Sequence, residues 1–322
     1  MKRFDVICIG EVLVDLISQE PGKHLADVSL FKKFAGGAPA NVAVGLAKLG
    51  SNVAFAGKVG DDSFGCFLKI YLEHNGVDTG ALISDPDHRT RLTFVEIAEN
   101  GERDFEFSEK KPADSALLAE DFPMEVLSSA QIVHFGSLPL TATAGRRVFK
   151  QLSDRLDHDG VLTSFDPNYR SSLWKSPRAA KRILRSFAAK CRILKMNLEE
   201  ASFLSDSDKT DMMLKGLFFP KTSLLAITLG EQGCILKNRH HTVEVPGLRV
   251  NVADLTGCGD AFLSGLLASL IRAEKTPEEL TAAELFAFGQ FANAAAALTA
   301  TRFGATDALP TSDELENFLK SV

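Results

Sequence analysis

The segment Asp254-Leu255-Thr256-Gly257-Cys258-Gly259-Asp260 sets a carboxylate directly behind a glycine-rich turn, at the point where an apolar helical stretch begins. Glycines let a backbone approach a ligand closely and take up positive φ. The first turn of a helix offers unpaired N–H groups and the positive end of the helix dipole, which together attract an anion. For a phosphoryl group in transfer, the amides of Gly257, Cys258 and Gly259 would stabilise its charge while Asp260 took the proton of an attacking hydroxyl. A glycine turn capped by an aspartate is the plainer alternative, and a short glycine motif does not by itself separate the two.

A second loop, Gly36-Gly37-Ala38-Pro39-Ala40-Asn41, also runs into a helix and places Asn41 in its first turn. A side-chain amide offers a donor and an acceptor, which suits sugar hydroxyls; a chain turn capped by Asn41 fits the same residues. Asp15 lies in the strand-like run Leu13-Val14-Asp15-Leu16. A buried carboxylate there needs hydrogen-bonding partners, which a polyol supplies, whereas an edge strand would turn it to water. The chain has no GxxxxGK[ST] phosphate loop, no GxGxxG at its first strand and no GxSxG nucleophile elbow, which disfavours P-loop, nicotinamide and α/β-hydrolase chemistry.

The elements that must position these loops are legible as alternation. DVICIG at 5–10 and the apolar runs at 53–56, 132–135, 161–165, 193–196 and 224–228 read as buried strands. Helical stretches at 39–49, 63–74, 142–156 and 177–190 lie between them, which predicts an α/β fold with a mostly parallel sheet covered on both faces. Ligands of such sheets bind beyond the carboxyl ends of the strands. Residues 258–272 and 283–300 are too apolar around their circumference for surface helices and belong in the core.

One stretch breaks the rhythm. Residues 92–97, the pair Asn100-Gly101 and residues 103–107 form a hairpin signal whose alternation is two-sided, with Leu92 and Phe94 on one strand and Phe105 and Phe107 on the other. Such a ribbon needs a surface to bury against. Together with residues 12–34 it makes a small sheet, a candidate lid, dimer surface or both. The expected organisation is one domain over 1–322, with lid segments near 12–34 and 88–111.

Composition narrows the partners. The 322 residues are 45% hydrophobic and 24% charged, enough apolar material for a large core. A net charge of -6 with scattered Lys and Arg gives no field for phosphate backbones, so nucleic acid is not an expected partner. No apolar stretch reaches membrane-spanning length, and Asp5, Glu11 and Asp15 interrupt the N-terminal run that a signal peptide would keep uncharged. Five dispersed cysteines without a CxxC pair read as reduced thiols of a cytoplasmic protein, and His240-His241 reads as a solvated turn.

Taken together, the motifs resemble those of ribokinase-like sugar kinases, the PfkB family, over essentially the whole chain. The N-terminal signature resembles Gly36 to Ala43 followed by Gly57-Lys58-Val59-Gly60-Asp61-Asp62-Ser63-Phe64-Gly65; the C-terminal one resembles Asp254 to Asp260. The resemblance implies a three-layer αβα domain with a small β-sheet lid, ATP and Mg2+ as cofactors, K+ activation and a homodimer through the lid. It implies Asp260 as the base, the amides of Gly257, Cys258 and Gly259 as the anion hole, and Asp15, Gly37 and Asn41 as sugar contacts. Asn197 and Glu200 match the family's NxxE motif, which organises Mg2+ and phosphates through water. Thr228 and Gly230 match its nucleotide-contacting strand end, Asn293 its adenine pocket, and Asp254 with Thr256 and the 302–304 loop its monovalent-cation site.

Leu255 and Cys258 depart from the family's usual Thr and Ala. A thiol at a helix N-terminus is expected to have a lowered pKa and raised reactivity. Within the family, Asp166-Pro167-Asn168-Tyr169-Arg170 with Leu173-Trp174, and the hairpin's Gly101-Glu102-Arg103-Asp104-Phe105, look most like fructokinases, with Arg103 and Arg170 as substrate contacts. The alternative is a 2-keto-3-deoxygluconate kinase, whose carboxylate substrate would use arginines such as Arg89, Arg91, Arg103 and Arg170. A sugar- or nucleotide-binding protein that lost the chemistry is the alternative of another class, against which the retained Asp260 stands.

Overall fold

The computed structural model describes residues 2–98, 103–108 and 111–321, with the side chains of 103, 104 and 321 outside the description. In chain order its strands are β1 (Phe4–Ile9), β2 (Leu13–Ser18), β3 (Phe31–Gly36), β4 (Val53–Gly60), β5 (Asp78–Asp85), β6 (Leu92–Ile97), β7 (Arg103–Phe107), β8 (Ala130–Phe135), β9 (Leu162–Phe165), β10 (Ile193–Asn197), β11 (Leu224–Thr228), β12 (Gly233–Lys237) and β13 (Thr242–Pro246). The helices are α1 (Ala38–Lys48), α2 (Ser63–His74), the short α3 (Met124–Leu127), α4 (Thr143–His158), α5 (Pro177–Ala188), α6 (Leu198–Ser205), α7 (Thr210–Leu217), α8 (Cys258–Ala273), α9 (Ala282–Ala300) and α10 (Ser312–Ser321).

Side chains alternate across a strand, and β1 uses both sets. Val6 and Cys8 pack on one side with α1, α8 and α9, while Ile7 and Ile9 pack on the other with α4, α5, α6 and α7. A strand buried on both faces has to be apolar throughout, which is why β1 and its neighbours read as continuous apolar runs. Three layers result: helices, sheet, helices. The second face carries an aromatic cluster in which Phe187 meets Phe135 at 5.3 Å and Phe165 at 5.0 Å, both edge to face.

Among the described residues the large sheet runs β13-β12-β11-β10-β9-β8-β1-β4-β5. Pairing is parallel from β5 through β11, and the β12-β13 hairpin closes the edge antiparallel. The strand order reverses at β1, which pairs with β4 on one side and β8 on the other. At such a switch point the connections leave in opposite directions and open a crevice at the strands' carboxyl ends.

The second sheet, β3-β2-β6-β7, is small and mixed, with β2 parallel to β6 and the other pairs antiparallel. Register places Asp15 against Thr93 and Thr93 against Phe107. These side chains therefore share one face of the sheet, which is turned toward the crevice. Leu92 and Phe94 take the other face; Leu92 packs on the core and Phe94 meets Phe31 edge to face at 5.5 Å. The Asn100-Gly101 turn lies outside the described residues. His240 and His241 are exposed between β12 and β13, as a solvated turn requires. Among the described residues no helix is long and apolar enough to cross a membrane.

Candidate active site

A cleft of about 1130 Å³ opens where the switch point predicts, walled by the large sheet's strand ends on one side and by the small sheet on the other. Five strand ends contribute: Glu11 follows β1, Ser137 follows β8, Asp166 follows β9, Asn197 closes β10 and Thr228 closes β11. From the small sheet come Asp15, Thr93, Ile97, Phe105 and Phe107.

Gly257 is the N-cap of α8, at φ 81°, a left-handed conformation that L side chains rarely adopt. Asp260 stands in the following turn and is only 7% exposed. Asn41, in the first turn of α1, donates from Nδ2 to Asp260 Oδ2 at 2.7 Å, while its own Oδ1 is buried without a protein partner. Burial raises the Asp260 pKa to about 7, against the lowering effect of Asn41 and of the Lys195 charge. A carboxyl poised near neutrality is what a general base needs.

Lys195 was not legible as a site residue, yet it lies at the centre. Its ammonium, between the apolar Leu194 and Met196 of β10, donates to Asp166 Oδ2 at 2.7 Å, and both side chains are buried. Burial alone would lower its pKa; Asp166, Glu200 and Asp260 outweigh that and hold it above the ordinary lysine value. A Cβ added to Gly259 would stand 2.8 Å from Lys195 Nζ, so the glycine is what lets this cation reach the helix terminus. Amides, a helix dipole and a buried cation thus converge on one point.

The Asn197–Glu200 motif is a capping box. Asn197 Oδ1 accepts from the Glu200 N–H at 2.8 Å, and Glu200 Oε2 accepts from the Asn197 N–H at 2.9 Å. Glu200 Oε1 accepts from the Tyr169 N–H at 2.6 Å, which ties the loop after β9 to α6. Burial and the nearby Asp166 push the Glu200 pKa up. With a backbone N–H group on each oxygen, Glu200 suits a metal held through water better than one ligated directly.

Asp254 braces the loop before α8. Its Oδ1 accepts from the Thr256 N–H at 3.0 Å and hydroxyl at 2.8 Å, and its Oδ2 accepts from the Gly304 N–H at 3.1 Å. Gly37, Arg170 and Gly230 also line the cleft, Arg170 with an exposed side chain. Asn293 stands apart: its amide donates to the carbonyls of Val245 at 3.3 Å and Pro246 at 3.1 Å and clamps the end of β13. Arg103 begins β7, and its side chain lies outside the described residues. Arg91 is spent on Asp114, to which it donates from Nε and Nη2, each at 2.7 Å.

Cys258 corrects an expectation. Its position at the start of α8 predicts a depressed pKa, but burial, followed by the negative charges of Asp254 and Asp260, pushes the thiol up to about 12. Its Sγ faces the Asp254 carbonyl at 3.9 Å and does not line the cleft. The thiol behaves as a small apolar side chain.

The model of the pfkB family carbohydrate kinases matches residues 3–312. The chain belongs to that family. It is therefore a phosphotransferase of carbohydrate kinase type. Fructokinase-1 of Zea mays is 38% identical over 98% of this chain and 98% of its own. The fructokinase of Xylella fastidiosa, solved with bound ATP, superposes with a TM-score of 0.90 at 30% identity, covering 98% of each chain. A double mutant of the Vibrio cholerae O395 fructokinase, solved with fructose, ADP and potassium ion, gives 0.85 at 32% identity, over 98% of this chain and 97% of that one. Glu11, Thr93 and Lys195 line the cleft without a motif that marks them, and Asp166 enters the sequence pattern only as the first residue of the Asp166–Arg170 stretch. A charge inside an apolar strand was the available signal for Lys195.

Proposed function

We propose that this kinase transfers the γ-phosphoryl group of ATP to a hydroxyl of fructose. The observation that carries the reading is Asp260, a buried carboxyl near neutrality, held by Asn41 at a glycine-capped helix terminus beside Lys195. Asp260 accepts the proton of the attacking sugar hydroxyl. The Gly257–Gly259 amides and the Lys195 ammonium face the charge that the transferred group spreads over its oxygens. Asp15, Gly37, Asn41, Arg103 and Arg170 contact the sugar, Arg170 being able to serve the phosphates instead. Thr228, Gly230 and Asn197 border the nucleotide; Asn293 acts on it indirectly, through the β13 end it clamps. Mg2+ neutralises phosphate oxygens when bound, and Asn197 with Glu200 are the residues to hold it through water. Asp254, Thr256 and the 302–304 loop are the residues that would cradle K+, which would supply positive charge to the loop before α8.

Fructose is favoured over an acidic sugar because the small-sheet wall is apolar at Ile97, Phe105 and Phe107 and Arg91 is already paired. The names of the relatives support the same choice. The exposed Arg170 is the feature that favours 2-keto-3-deoxygluconate. We read the chain as one domain with the small sheet as a lid, pairing with a second copy through it, in the cytoplasm where its five free cysteines stay reduced. A coupled ADP-release assay with fructose, 2-keto-3-deoxygluconate, ribose and nucleosides tests the substrate. The highest kcat/KM is expected for fructose; a preference for 2-keto-3-deoxygluconate overturns it, and sugar binding without turnover favours the non-catalytic alternative.

A further inference from the structure

Buried polar atoms in folded proteins are nearly always hydrogen-bonded, and each exception calls for a missing partner. Among the described residues such orphans include Glu11 Oε2, Asn41 Oδ1 and Thr93 Oγ1, and these three residues all line the cleft. Asn41 already has a place beside the base. Glu11 and Thr93 do not.

Glu11 sits one residue beyond Gly10 at the carboxyl end of β1, on the switch-point strand, and is 6% exposed. A Cβ at Gly136 would stand 2.9 Å from its Oε2, so the end of β8 leaves room for this carboxyl through a glycine. Its own backbone N–H supplies one hydrogen bond, and Asp114, Arg91 and Asp260 are the charges that act on it. The Arg91 Nε and Nη2 groups are committed to Asp114. Burial lifts the Glu11 pKa to about 8, so near neutrality it carries its proton and offers both a donor and an acceptor.

We propose that Glu11 is a specificity-determining residue of this kinase, hydrogen-bonding through Oε2 a sugar hydroxyl other than the one phosphorylated, with Thr93 Oγ1 taking a further hydroxyl from the small-sheet wall. This rests on the fructose-kinase reading. A neutral carboxyl in the wall suits a neutral polyol, and neither atom has a protein group to release when the sugar arrives. A site built to bond a hydroxyl also rejects the analogue that lacks it, because the wall atom is then left unpaired.

The test measures kcat/KM for fructose and its monodeoxy analogues in the wild type, Glu11→Met and Glu11→Gln. Met is of similar length without strong hydrogen-bonding atoms, and replacing a buried carboxyl by an apolar side chain is compatible with folding. The wild type should discriminate against one monodeoxy sugar by about 10- to 100-fold. Glu11→Met should erase that discrimination while preserving preferences at the other hydroxyls and the KM for ATP, and Glu11→Gln should restore part of it. A Glu11→Met enzyme slowed equally on every sugar, as a merely structural role would give, or unchanged on all of them, overturns the proposal. Absence of fructose turnover by the wild type overturns the underlying reading and this proposal with it; turnover with unaltered discrimination overturns this proposal alone.

Discussion

Asn41 Nδ2 lies 2.7 Å from Asp260 Oδ2, so two helix N-termini separated by 219 residues in sequence meet at one hydrogen bond. The contact joins the glycine loop that enters α1 to the glycine loop that enters α8. It fixes one oxygen of the carboxyl, and it explains why both loops must turn sharply at the same place.

The pH dependence follows from the carboxyl's burial. With the Asp260 pKa raised to about 7, protonation removes the base below that value. We expect log kcat/KM for the sugar to rise with unit slope up to about pH 7 and then level off. A profile flat from pH 5.5 to 8 would show that another group takes the proton.

Stability should oppose activity at this residue. A carboxyl whose folded pKa is raised from 3.8 to about 7 binds more protons folded than unfolded across that window, so stability falls as pH rises through it. Asp260→Asn removes the buried charge and should stabilise the protein above pH 7, on the order of a few kcal/mol, and hardly at all at pH 4. Thermal unfolding at the two pH values measures this. A variant less stable than wild type at pH 8 would mean that Asp260 is tied into the fold more tightly than its hydrogen bond to Asn41 indicates.

Lys195 separates structural from chemical roles. Lys195→Met leaves Asp166 buried without its cation and should cost about 3–5 kcal/mol of stability. Adding Asp166→Asn should recover much of that loss without recovering turnover, which should stay about 10²-fold below wild type because the transferred group has lost its cation. Restoration of turnover by the double variant would reduce Lys195 to a structural partner of Asp166.

Cys258 should be quiet. At a pKa near 12 its thiolate fraction at neutral pH is negligible, whereas Cys66 is exposed. Iodoacetamide is expected to label Cys66 and leave activity intact, with mass spectrometry finding Cys258 unmodified and Cys258→Ala turning over within about threefold of wild type. ATP-protectable inactivation through Cys258 would reverse that conclusion.

Much of the fold could be read from the chain because its strands are buried on both faces and so appear as uninterrupted apolar runs. Strand β11 falls at 224–228 and α2 at 63–74, as their patterns predict. Strand β5 and the β12-β13 hairpin lie at the sheet's edges, where solvent admits polar residues and blurs the period. The site divided the same way. The two glycine loops and the Asn197–Glu200 pair are local patterns, the latter a capping box visible at a spacing of three. Lys195 with Asp166 is a tertiary pairing made by the parallel neighbours β9 and β10, and Glu11 and Thr93 reach the cleft from different sheets, which no local spacing records. The Cys258 expectation failed because a rule about helix termini lost to burial and two nearby carboxylates.

The most direct measurement of the central claim is the single-turnover rate of phosphoryl transfer to fructose by Asp260→Asn, with ATP binding measured on the same sample. A loss of about 10²- to 10⁴-fold with ATP affinity retained is the predicted result for removal of a general base. A loss of less than tenfold would contradict the assignment of Asp260 as the residue that takes the sugar's proton.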